Sequence, residues 1–489
     1  MALSLRAKAW LIPIGSAVML SLALPPFNLV FLVFVAIAPW LAWLRRLDAR
    51  GARLSGYLFG SVLFLFQMFW VGAFVAEWTG SWWLGLVPWL VSVALAGWYF
   101  VLLAWLLRSA MAARWFWTVP LVWAAVEALR AYFPVLAFPW AILAHPLWMV
   151  PDFVQHAAFG TVFLVSAWAV IPNLLLCLHL WPVRPEDREP RQSVRLGLVF
   201  GGILVMSTFR AAQPVPADER VVTLGQPGVD MAFNSDEAER RLLDESVGLI
   251  QARVLEEGTD LLVLPEGFAA PSQDLPPSTI LGPEPAFPVI FGGNRVEGTA
   301  SYQTAYAYDG TWQSADKTRL VVFGEFVPFR GLPFMSSFRL PSGDLTPAKE
   351  MKQLKVGDTV FGPLLCFEGL FPDLAARHTQ AGARVLVQMS VDDWYERTPA
   401  WDQLWQSSIW RSIESGVPIV RVGSRGRTLV TDPRGRLVHS VPKGVMAAEQ
   451  ARVLVPKTSD AFPQRFAFVY IAGAAAALVA FRGLRHRSE

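Results

Sequence analysis

The sequence contains few cysteines and few charged residues. Two cysteines, Cys177 and Cys366, in 489 residues exclude a disulfide framework and thiolate zinc sites, which need closely spaced cysteine or cysteine-histidine sets. Charged residues make up 17% of the chain, whereas 54% is apolar, and 22 Trp and 33 Phe are present. This composition leaves too little polar surface for an ordinary soluble enzyme, so much of the chain must face lipid.

The charge balance and the histidines exclude further classes. The 42 basic and 39 acidic residues give a net charge of +3, which is unlike that of a nucleic-acid binder. Six histidines are scattered without metal-ligand spacing, and the sequence has no glycine loop of the kind that binds phosphate. We therefore expect no nucleic-acid partner, no metal site and no organic cofactor.

Long apolar runs fill the chain to about residue 210. A bilayer core needs roughly 20 apolar residues of helix. About eight runs approach this length: 8–25, 28–45, 56–77, 85–107, 115–133, 158–181, 195–208, which is the shortest, and 466–481. Between about 215 and 460 the composition is that of a water-soluble domain. The sequence predicts a membrane domain over 1–210, a soluble domain over 215–460 and a C-terminal membrane helix over 466–481.

Arginine and lysine occur in alternate loops between these runs. Positive charge near the ends of a span stays on the cytoplasmic side. Basic residues precede the first run and follow the second, fourth, sixth and eighth, whereas loops 26–27 and 78–84 contain none. Both termini are therefore expected in the cytoplasm and the soluble domain outside. A cleaved signal peptide over 1–25 is disfavoured by Pro25-Pro26 and would leave the soluble domain on the same side.

Short apolar strands alternate with helical stretches between 215 and 460, which is typical of an α/β domain. The predicted helices cover 235–256, 370–381 and 401–415. The predicted strands cover 221–226, 260–265, 288–292, 304–308, 359–367, 384–390, 418–422 and 428–431. Turn residues at Asp309-Gly310 and at 432–435 predict hairpins between late strands.

Three reactive side chains lie at or just after the ends of apolar strands: Glu266, Lys317 and Cys366. Strand ends are where catalytic groups collect in α/β folds. A nucleophilic cysteine needs a base to accept its proton and a positive charge to stabilise the thiolate, and glutamate and lysine supply these roles. Position alone leaves the alternative open, because a buried strand cysteine is more often structural.

The motifs around these residues resemble those of the apolipoprotein N-acyltransferases, whose outer domain belongs to the nitrilase superfamily and carries a Glu-Lys-Cys triad. The matching segments are Leu264-Pro265-Glu266, the run from Lys317 through Glu325 to Pro328, Cys366-Phe367-Glu368, Met335-Ser336-Ser337-Phe338 and, among the apolar runs, Phe138-Pro139-Trp140. The likeness spans the whole chain. It implies a nitrilase-like αββα sandwich beside the membrane α-helical bundle.

Departures from the family pattern cluster late in the chain. Val391-Asp392-Asp393-Trp394 occurs where Asn-Asp-Ala-Trp is usual, Phe367 where tyrosine is usual, and Ser424 where asparagine is usual. The triad itself is complete. The departures therefore concern acceptor recognition and loop geometry in 391–427.

The resemblance implies transfer of an acyl chain from a phospholipid, through a thioester on Cys366, to the N-terminal amine of the diacylglyceryl-cysteine of apolipoproteins. Glu266 would be the base and Lys317 the partner of the oxyanion. Supporting or substrate-binding roles are implied for Glu325, Glu368, Phe367 and Trp394. We expect a monomer in the bacterial inner membrane, in contact with membrane lipid, with its catalytic domain in the periplasm.

Two other functions remain as alternatives. A membrane-bound nitrilase-type amidase or hydrolase would use the same triad with water as acceptor, although the membrane domain far exceeds an anchor. A non-catalytic lipid-binding or transport relative would keep the triad as a relic, but the triad has no substitution and few charges lie within the apolar runs.

The segment 323–338 is rich in aromatic residues and poor in charge. It is predicted to lie in the membrane interface as a lid over the site. The alternative is that its aromatic side chains fill the core of the soluble domain.

Overall fold

The computed structural model describes residues 5–134, 136–183, 190–231, 237–272, 277, 279, 281–336, 339–340, 343–396 and 398–485. Helices precede the first strand: α1 (Leu5–Ala23), α2 (Ala38–Leu44), α3 (Ala49–Gln67), α4 (Phe69–Thr79), α5 (Trp82–Ala112), α6 (Thr118–Ala131), α7 (Ala157–Leu180) and α8 (Pro190–Ala212). Short 3-10 helices cover Val30–Phe34, His145–Met149 and Pro151–Phe153. A helix of 19 residues, Ala467–Arg485, ends the described chain.

The expected number of about eight membrane spans is not confirmed. Within the described residues, four helices are long and apolar enough to cross a membrane: α5, α7, α8 and the C-terminal helix. A fifth span results if α3 and α4, which meet at a bend of 46°, are taken together. The run 195–208, expected to be the shortest, is part of a helix of 23 residues.

Two of the remaining expected spans, 28–45 and 115–133, form helices that are too short to cross the bilayer core. The run 28–45 divides into a 3-10 helix and the seven residues of α2. Helix α6 has 14 residues, about 21 Å of helix, against a bilayer core of about 30 Å. Its buried Glu127 accepts a hydrogen bond from the Leu143 amide at 2.7 Å, so the chain after α6 folds back into the helical domain.

Strands begin after α8, and the described strands form two sheets. The first sheet contains β1 (Ala217–Gln226), β2 (Leu261–Val263), β3 (Ala269–Ser272), β4 (Val289–Glu297), β5 (Ala300–Tyr308), β6 (Trp312–Asp316) and β13 (Ala447–Pro456). The second contains β7 (Leu354–Val356), β8 (Thr359–Leu365), β9 (Val385–Ser390), β10 (Ile419–Gly423), β11 (Thr428–Thr431) and β12 (Leu437–Val441). The strand orders are β13-β1-β2-β4-β5-β6, with β3 beside β4, and β12-β11-β10-β9-β8-β7.

The two sheets pack face to face between layers of helices. One apolar core combines Val263 and Ile290 of the first sheet with Leu365, Val387 and other inward residues of the second. Helix α9 (Glu237–Glu257) covers the outer face of the first sheet. Helices α11 (Pro372–Gln380) and α12 (Pro399–Ser415) cover the second, so the αββα sandwich is confirmed. The short helix α10 (Pro333–Ser336) lies in the loop before β7.

The outer layer of the second sheet continues into the membrane helices. One apolar cluster includes Phe59 of α3, Phe163 of α7, Ile409 of α12 and Phe371. Almost every residue of α12 is buried. The soluble sandwich therefore rests on the helical domain through α12.

Close packing of α3 on α5 depends on glycine. A Cβ on Gly56 would lie 2.2 Å from the carbonyl oxygen of Phe100 and 2.5 Å from the Cβ of Ala104. Small residues let helix backbones approach in this way within membranes. By contrast, a Cβ on Gly201 of α8 would meet no atom within 4 Å.

We expect Gly56→Ala to lower the thermal unfolding temperature, because the added methyl group forces α3 and α5 apart. The matched variant Gly201→Ala makes the same change in helix propensity, which favours alanine by about 1 kcal/mol, without a clash. Thermal unfolding in detergent measures both. Equal unfolding temperatures for the two variants would contradict this account of the helix pair.

Candidate active site

Glu266 lies just beyond β2, where the backbone passes very close to β4. The amide of Gly292 donates to the carbonyl of Pro265 at 3.0 Å, and that of Phe268 donates to the carbonyl of Gly292 at 2.8 Å. A Cβ on Gly292 would lie 2.6 Å from the Cα of Glu266. Only glycine admits this approach, and it fixes the glutamate backbone at the strand end.

Lys317 follows β6 directly, and its side chain is completely buried between two carboxylates. Its ammonium lies 2.5 Å from Oε1 of Glu325 and 3.7 Å from Oε1 of Glu266. The amide of Lys317 donates to the carbonyl of Gln303 at 2.8 Å, which extends the sheet ladder to the lysine. The structure thus brings the predicted base and the predicted cation together.

Burial and charge set the protonation states of these groups. Burial raises the pKa of Glu266 to about 7, with Lys317 opposing the shift and Glu325 adding to it. Burial alone would lower the pKa of Lys317, but Glu325 and Glu266 outweigh it, so the pKa is raised and the lysine stays protonated. Burial and the charge of Glu266 raise the pKa of the Cys366 thiol, with Lys317 opposing. The resting site therefore holds a neutral thiol, a fixed cation and a carboxyl that titrates near neutrality.

Cys366 is the first residue after β8, in a turn with strained backbone. Its φ is 47°, in the left-handed region that residues with a side chain rarely adopt. The 3-10 helix Cys366–Leu370 follows at once. Such strain persists only where surrounding contacts hold it, and here it places a buried cysteine at a strand-to-helix turn.

Glu368 ties this turn to the segment after Lys317. Its Oε2 accepts the amide of Leu365 at 3.0 Å. Its Oε1 accepts the amide and hydroxyl of Thr318, both at 2.8 Å, and the amide of Arg319 at 3.0 Å. The carboxylate is buried and fully engaged, so its contacts serve the geometry of the cysteine and lysine segments.

The remaining predicted site residues lie at the edge of the cluster. Phe367 is buried, and its ring makes an edge-to-face contact with the ring of Phe371, at 5.1 Å between ring centroids. Trp394 makes an edge-to-face contact with Phe74 of α4 at 5.7 Å. Trp394 therefore joins the catalytic domain to the membrane helices, a contact that its motif did not reveal.

Asp392, Asp393 and Ser424, which lie in the 391–427 segment where the family pattern changes, meet in one buried network. Asp392 pairs with Arg421 at 2.7 Å, and Ser424 donates to Oδ2 of Asp393 at 2.7 Å. Met231 donates its amide to the same Asp393 oxygen at 3.0 Å. Burial raises the pKa of Asp393 to about 7. The network borders the site, because the amide of Val391 points at Oε2 of Glu266 over 3.4 Å.

Sequence reasoning missed the side chains that hold the cysteine turn. Gln388 of β9 donates to the carbonyl of Cys366 at 2.9 Å, and Ser408 of α12 in turn donates to Gln388. Polar residues at buried positions of a strand and a helix are the signal for such a network, but their partners cannot be inferred from spacing.

The aromatic segment after Lys317 is divided between surface and interior. Phe329 and Phe323 are exposed, Phe329 at 62%, whereas Val327 is buried. Phe338 lies outside the described residues. Movement of this segment as a lid stays a prediction.

Among the residues that the structure describes, no three histidine, cysteine, aspartate or glutamate side chains are grouped so as to hold a metal ion. The chemistry open to the site is that of a thiol, a carboxylate base and a fixed ammonium, which together support acyl transfer through a covalent intermediate.

Two family models match the chain. Residues 234–449, which include the triad, match the carbon-nitrogen hydrolase family, and residues 16–175 match the N-terminal domain of apolipoprotein N-acyltransferase. The sandwich is thus a domain of the carbon-nitrogen hydrolase class. Over almost its whole length the chain is similar to the apolipoprotein N-acyltransferases.

Individual relatives cover almost the whole chain. The apolipoprotein N-acyltransferase of Geobacter metallireducens is 28% identical and covers 97% of this chain and 96% of its own. That of Allorhizobium ampelinum is 27% identical and covers 90% and 89%. The crystal structure of Saccharomyces cerevisiae Nit3, from branch 10 of the nitrilase superfamily, covers 50% of this chain and 93% of its own, with 17% identity and a TM-score of 0.37.

We expect alkylation of Cys366 by iodoacetamide to accelerate as the pH rises through about 7, the pKa of Glu266. Below that pH Glu266 is protonated and cannot accept the thiol proton, whereas above it the ionised carboxylate can. Mass spectrometry of the peptide containing Cys366 measures the rate. In Glu266→Gln the rise near pH 7 should vanish, and its persistence would show that another group is the base.

Proposed function

We propose that Glu266, Lys317 and Cys366 are the catalytic residues of an N-acyltransferase that moves an acyl chain from a phospholipid to the N-terminal amine of the diacylglyceryl-cysteine of apolipoproteins. One observation carries this proposal. A base, a buried ammonium and a strained cysteine turn lie together, and the turn belongs to the same apolar cluster as the membrane helices. A lipid ester can therefore reach the thiol from the membrane side.

The first half-reaction forms the thioester. Glu266 accepts the proton of Cys366, and the thiolate attacks the carbonyl carbon of the ester. Lys317 offsets the negative charge that develops on the carbonyl oxygen, because its ammonium is held in place and buried away from solvent. The bond to the glycerol oxygen then breaks, Glu266 returns its proton to that oxygen, and lysophospholipid leaves.

The second half-reaction transfers the acyl group. The neutral α-amine of the acceptor attacks the thioester carbon, and Lys317 again offsets the oxyanion charge. Glu266 accepts a proton from the amine nitrogen, and the departing Cys366 thiolate takes a proton back. An amide and a free thiol result, so the cycle needs no further reactant.

Two glutamates support the triad in different ways. Glu325 contacts the Lys317 ammonium at 2.5 Å and accepts the amide of Val321 at 2.9 Å, which orients the lysine. Glu368 holds the cysteine turn against Thr318. Phe367 and Trp394 are proposed to shape the apolar approach for the substrates, and Trp394 does so at its contact with Phe74.

The same proposal covers location and partners. Residues 1–210 and 466–481 would lie in the bacterial inner membrane, and residues 215–460 would form the catalytic domain in the periplasm. Alternate basic loops support this orientation. The protein would act as a monomer on membrane phospholipid and apolipoprotein, without nucleic acid.

Cys366→Ala should abolish the thioester, and Cys366→Ser should nearly do so, because the much higher pKa of a hydroxyl leaves Glu266 too weak a base. Lys317→Met should slow both half-reactions, since losing one oxyanion donor typically costs about 3–4 kcal/mol. Intact-protein mass spectrometry after addition of phospholipid alone measures the adduct, which hydroxylamine should release.

Wild-type protein should release one equivalent of lysophospholipid without acceptor, as ping-pong order requires. Transfer to the acceptor without any adduct would mean a direct ternary reaction and contradict the covalent mechanism. Cys177→Ala is the matched control, because Cys177 is buried in α7, and it should leave the adduct unchanged.

A reporter that is active only outside the cytoplasm, fused after Thr458, should be active, whereas a reporter active only in the cytoplasm should be silent there. The reason is the arginine asymmetry between alternate loops. The same two reporters placed after Arg46, in the basic turn between α2 and α3, should give the opposite result. Cytoplasmic activity at Thr458 would overturn the proposed orientation.

A further inference from the structure

The strained turn at Cys366 is held by side chains that belong to, or rest on, α12. Gln388 bonds the carbonyl of Cys366 and is itself bonded by Ser408 of α12. Arg411, one helical turn further along α12, donates to the carbonyl of Leu370 at 2.6 Å and to that of Gly369 at 3.4 Å. The carbonyls at both ends of the 3-10 helix Cys366–Leu370 therefore accept hydrogen bonds from side chains on the α12 side of the turn.

Arg411 forms a buried ion pair with Glu414. Its guanidinium pairs with Glu414, with Nε 2.8 Å from Oε2 and with NH2 donating to Oε1 at 3.0 Å. Both side chains are completely buried. Isolated charges in such a place are very costly, so each residue fixes the position of the other.

Glu414 in turn holds a membrane helix. Its Oε1 accepts the amide of Val162 at 2.7 Å. Helix α7 is broken immediately before that residue, at Gly160 and Thr161, where Thr161 has a φ of 62°. The amide of Val162 is thus one of the unbonded donors at the start of the main α7 segment, where a carboxylate is stabilised by the helix dipole.

Side chains beyond this pair fasten α12 to the helical domain on the same side. Gln403 donates to Gln67 at the end of α3 over 2.5 Å, and the indole of Trp410 donates to the carbonyl of His145 at 3.1 Å. The path from Leu370 through Arg411 and Glu414 to Val162 is therefore continuous and passes through no solvent-exposed group.

We propose that Arg411 and Glu414 are positioning residues for Cys366, which hold its strained turn in register with the break in membrane helix α7. In this arrangement the reactive geometry of the thiol depends on how the catalytic domain is seated on the membrane helices. The inference rests on the proposed acyl transfer for its rate measurement, but the geometry of the thiol is measurable without it.

The test uses the full chain in phospholipid vesicles and compares Arg411→Met with the double variant Arg411→Met/Glu414→Gln. The single change leaves a lone buried carboxylate and should lower the unfolding temperature. The double change removes that charge, and glutamine keeps an acceptor for Val162, so the unfolding temperature should recover. Thioester formation should nevertheless stay roughly ten- to a hundredfold slower than in wild type, because the turn carbonyls have lost their donor.

Three measurements separate positioning from folding: the rate of thioester formation, the rate of Cys366 alkylation by iodoacetamide and the unfolding temperature. Arg411→Lys, which keeps the charge, should restore part of both rates. The matched control Asp460→Asn weakens another contact between the domains, the pair with Arg210 of α8 at 2.5 Å, and should leave both rates unchanged.

A double variant with a wild-type thioester rate per folded molecule would overturn the proposal, as would an equal slowing in Asp460→Asn. If neither methionine variant folds, Arg411→Lys decides, and an unchanged rate in that variant overturns the proposal. If wild type forms no thioester, the proposed function fails, while the alkylation rates still test the positioning of Cys366.

Discussion

The site depends on one buried positive charge. Lys317 is completely enclosed, and its ammonium is stabilised by Glu325 and Glu266. Because a lone ammonium in that place would be very costly, the two strand ends and the loop that carries Glu325 must come together for the domain to fold. Burial in the same enclosure raises the pKa of Glu266 to about 7, although Lys317 opposes the shift, and this value suits the proposed role of Glu266 as a group that accepts and returns a proton. The stability of the fold and the proposed proton transfer thus require the same grouping of Lys317 with Glu266 and Glu325.

A second constraint is the location of Cys366, the proposed nucleophile, between two domains. Cys366 follows a strand of the sandwich, yet the turn that it begins packs into the apolar cluster of the membrane helices. An acyl chain can remain in an apolar environment while its ester carbonyl meets the thiol. In this arrangement the helical domain does more than anchor the enzyme, because its apolar side chains pack against the turn that begins with Cys366.

Much of this arrangement could be predicted from the sequence, and the reasons are local. Glu266 and Cys366 each follow an apolar strand that the sequence predicts, and eight strands and three helices lie close to their predicted positions. Strands β3, β6, β7 and β12 were missed because each has only three to five residues, and β13 was missed because its pairing with all of β1, a distant segment, defines it. The expected number of spans is not confirmed, because hydropathy does not reveal the break in 28–45 or the contact of Glu127 with Leu143. Contacts such as Gln388 with Cys366 depend on packing between distant segments.

Burial also explains how the proposed thioester can resist hydrolysis until the acceptor binds. Glu266, Lys317 and Cys366 are each no more than 6% exposed. Water that reached an acylated Cys366 beside an ionised Glu266 would hydrolyse it, since the base that serves the amine would serve water equally well. Exclusion of water from the enclosed cluster removes that competitor and strengthens the attraction of Lys317 for the developing oxyanion. The acceptor amine arrives on a lipid-anchored cysteine, so it can approach along the apolar side that excludes water. The position of the turn against the membrane helices therefore favours transfer over hydrolysis with the same three residues that an amidase would use.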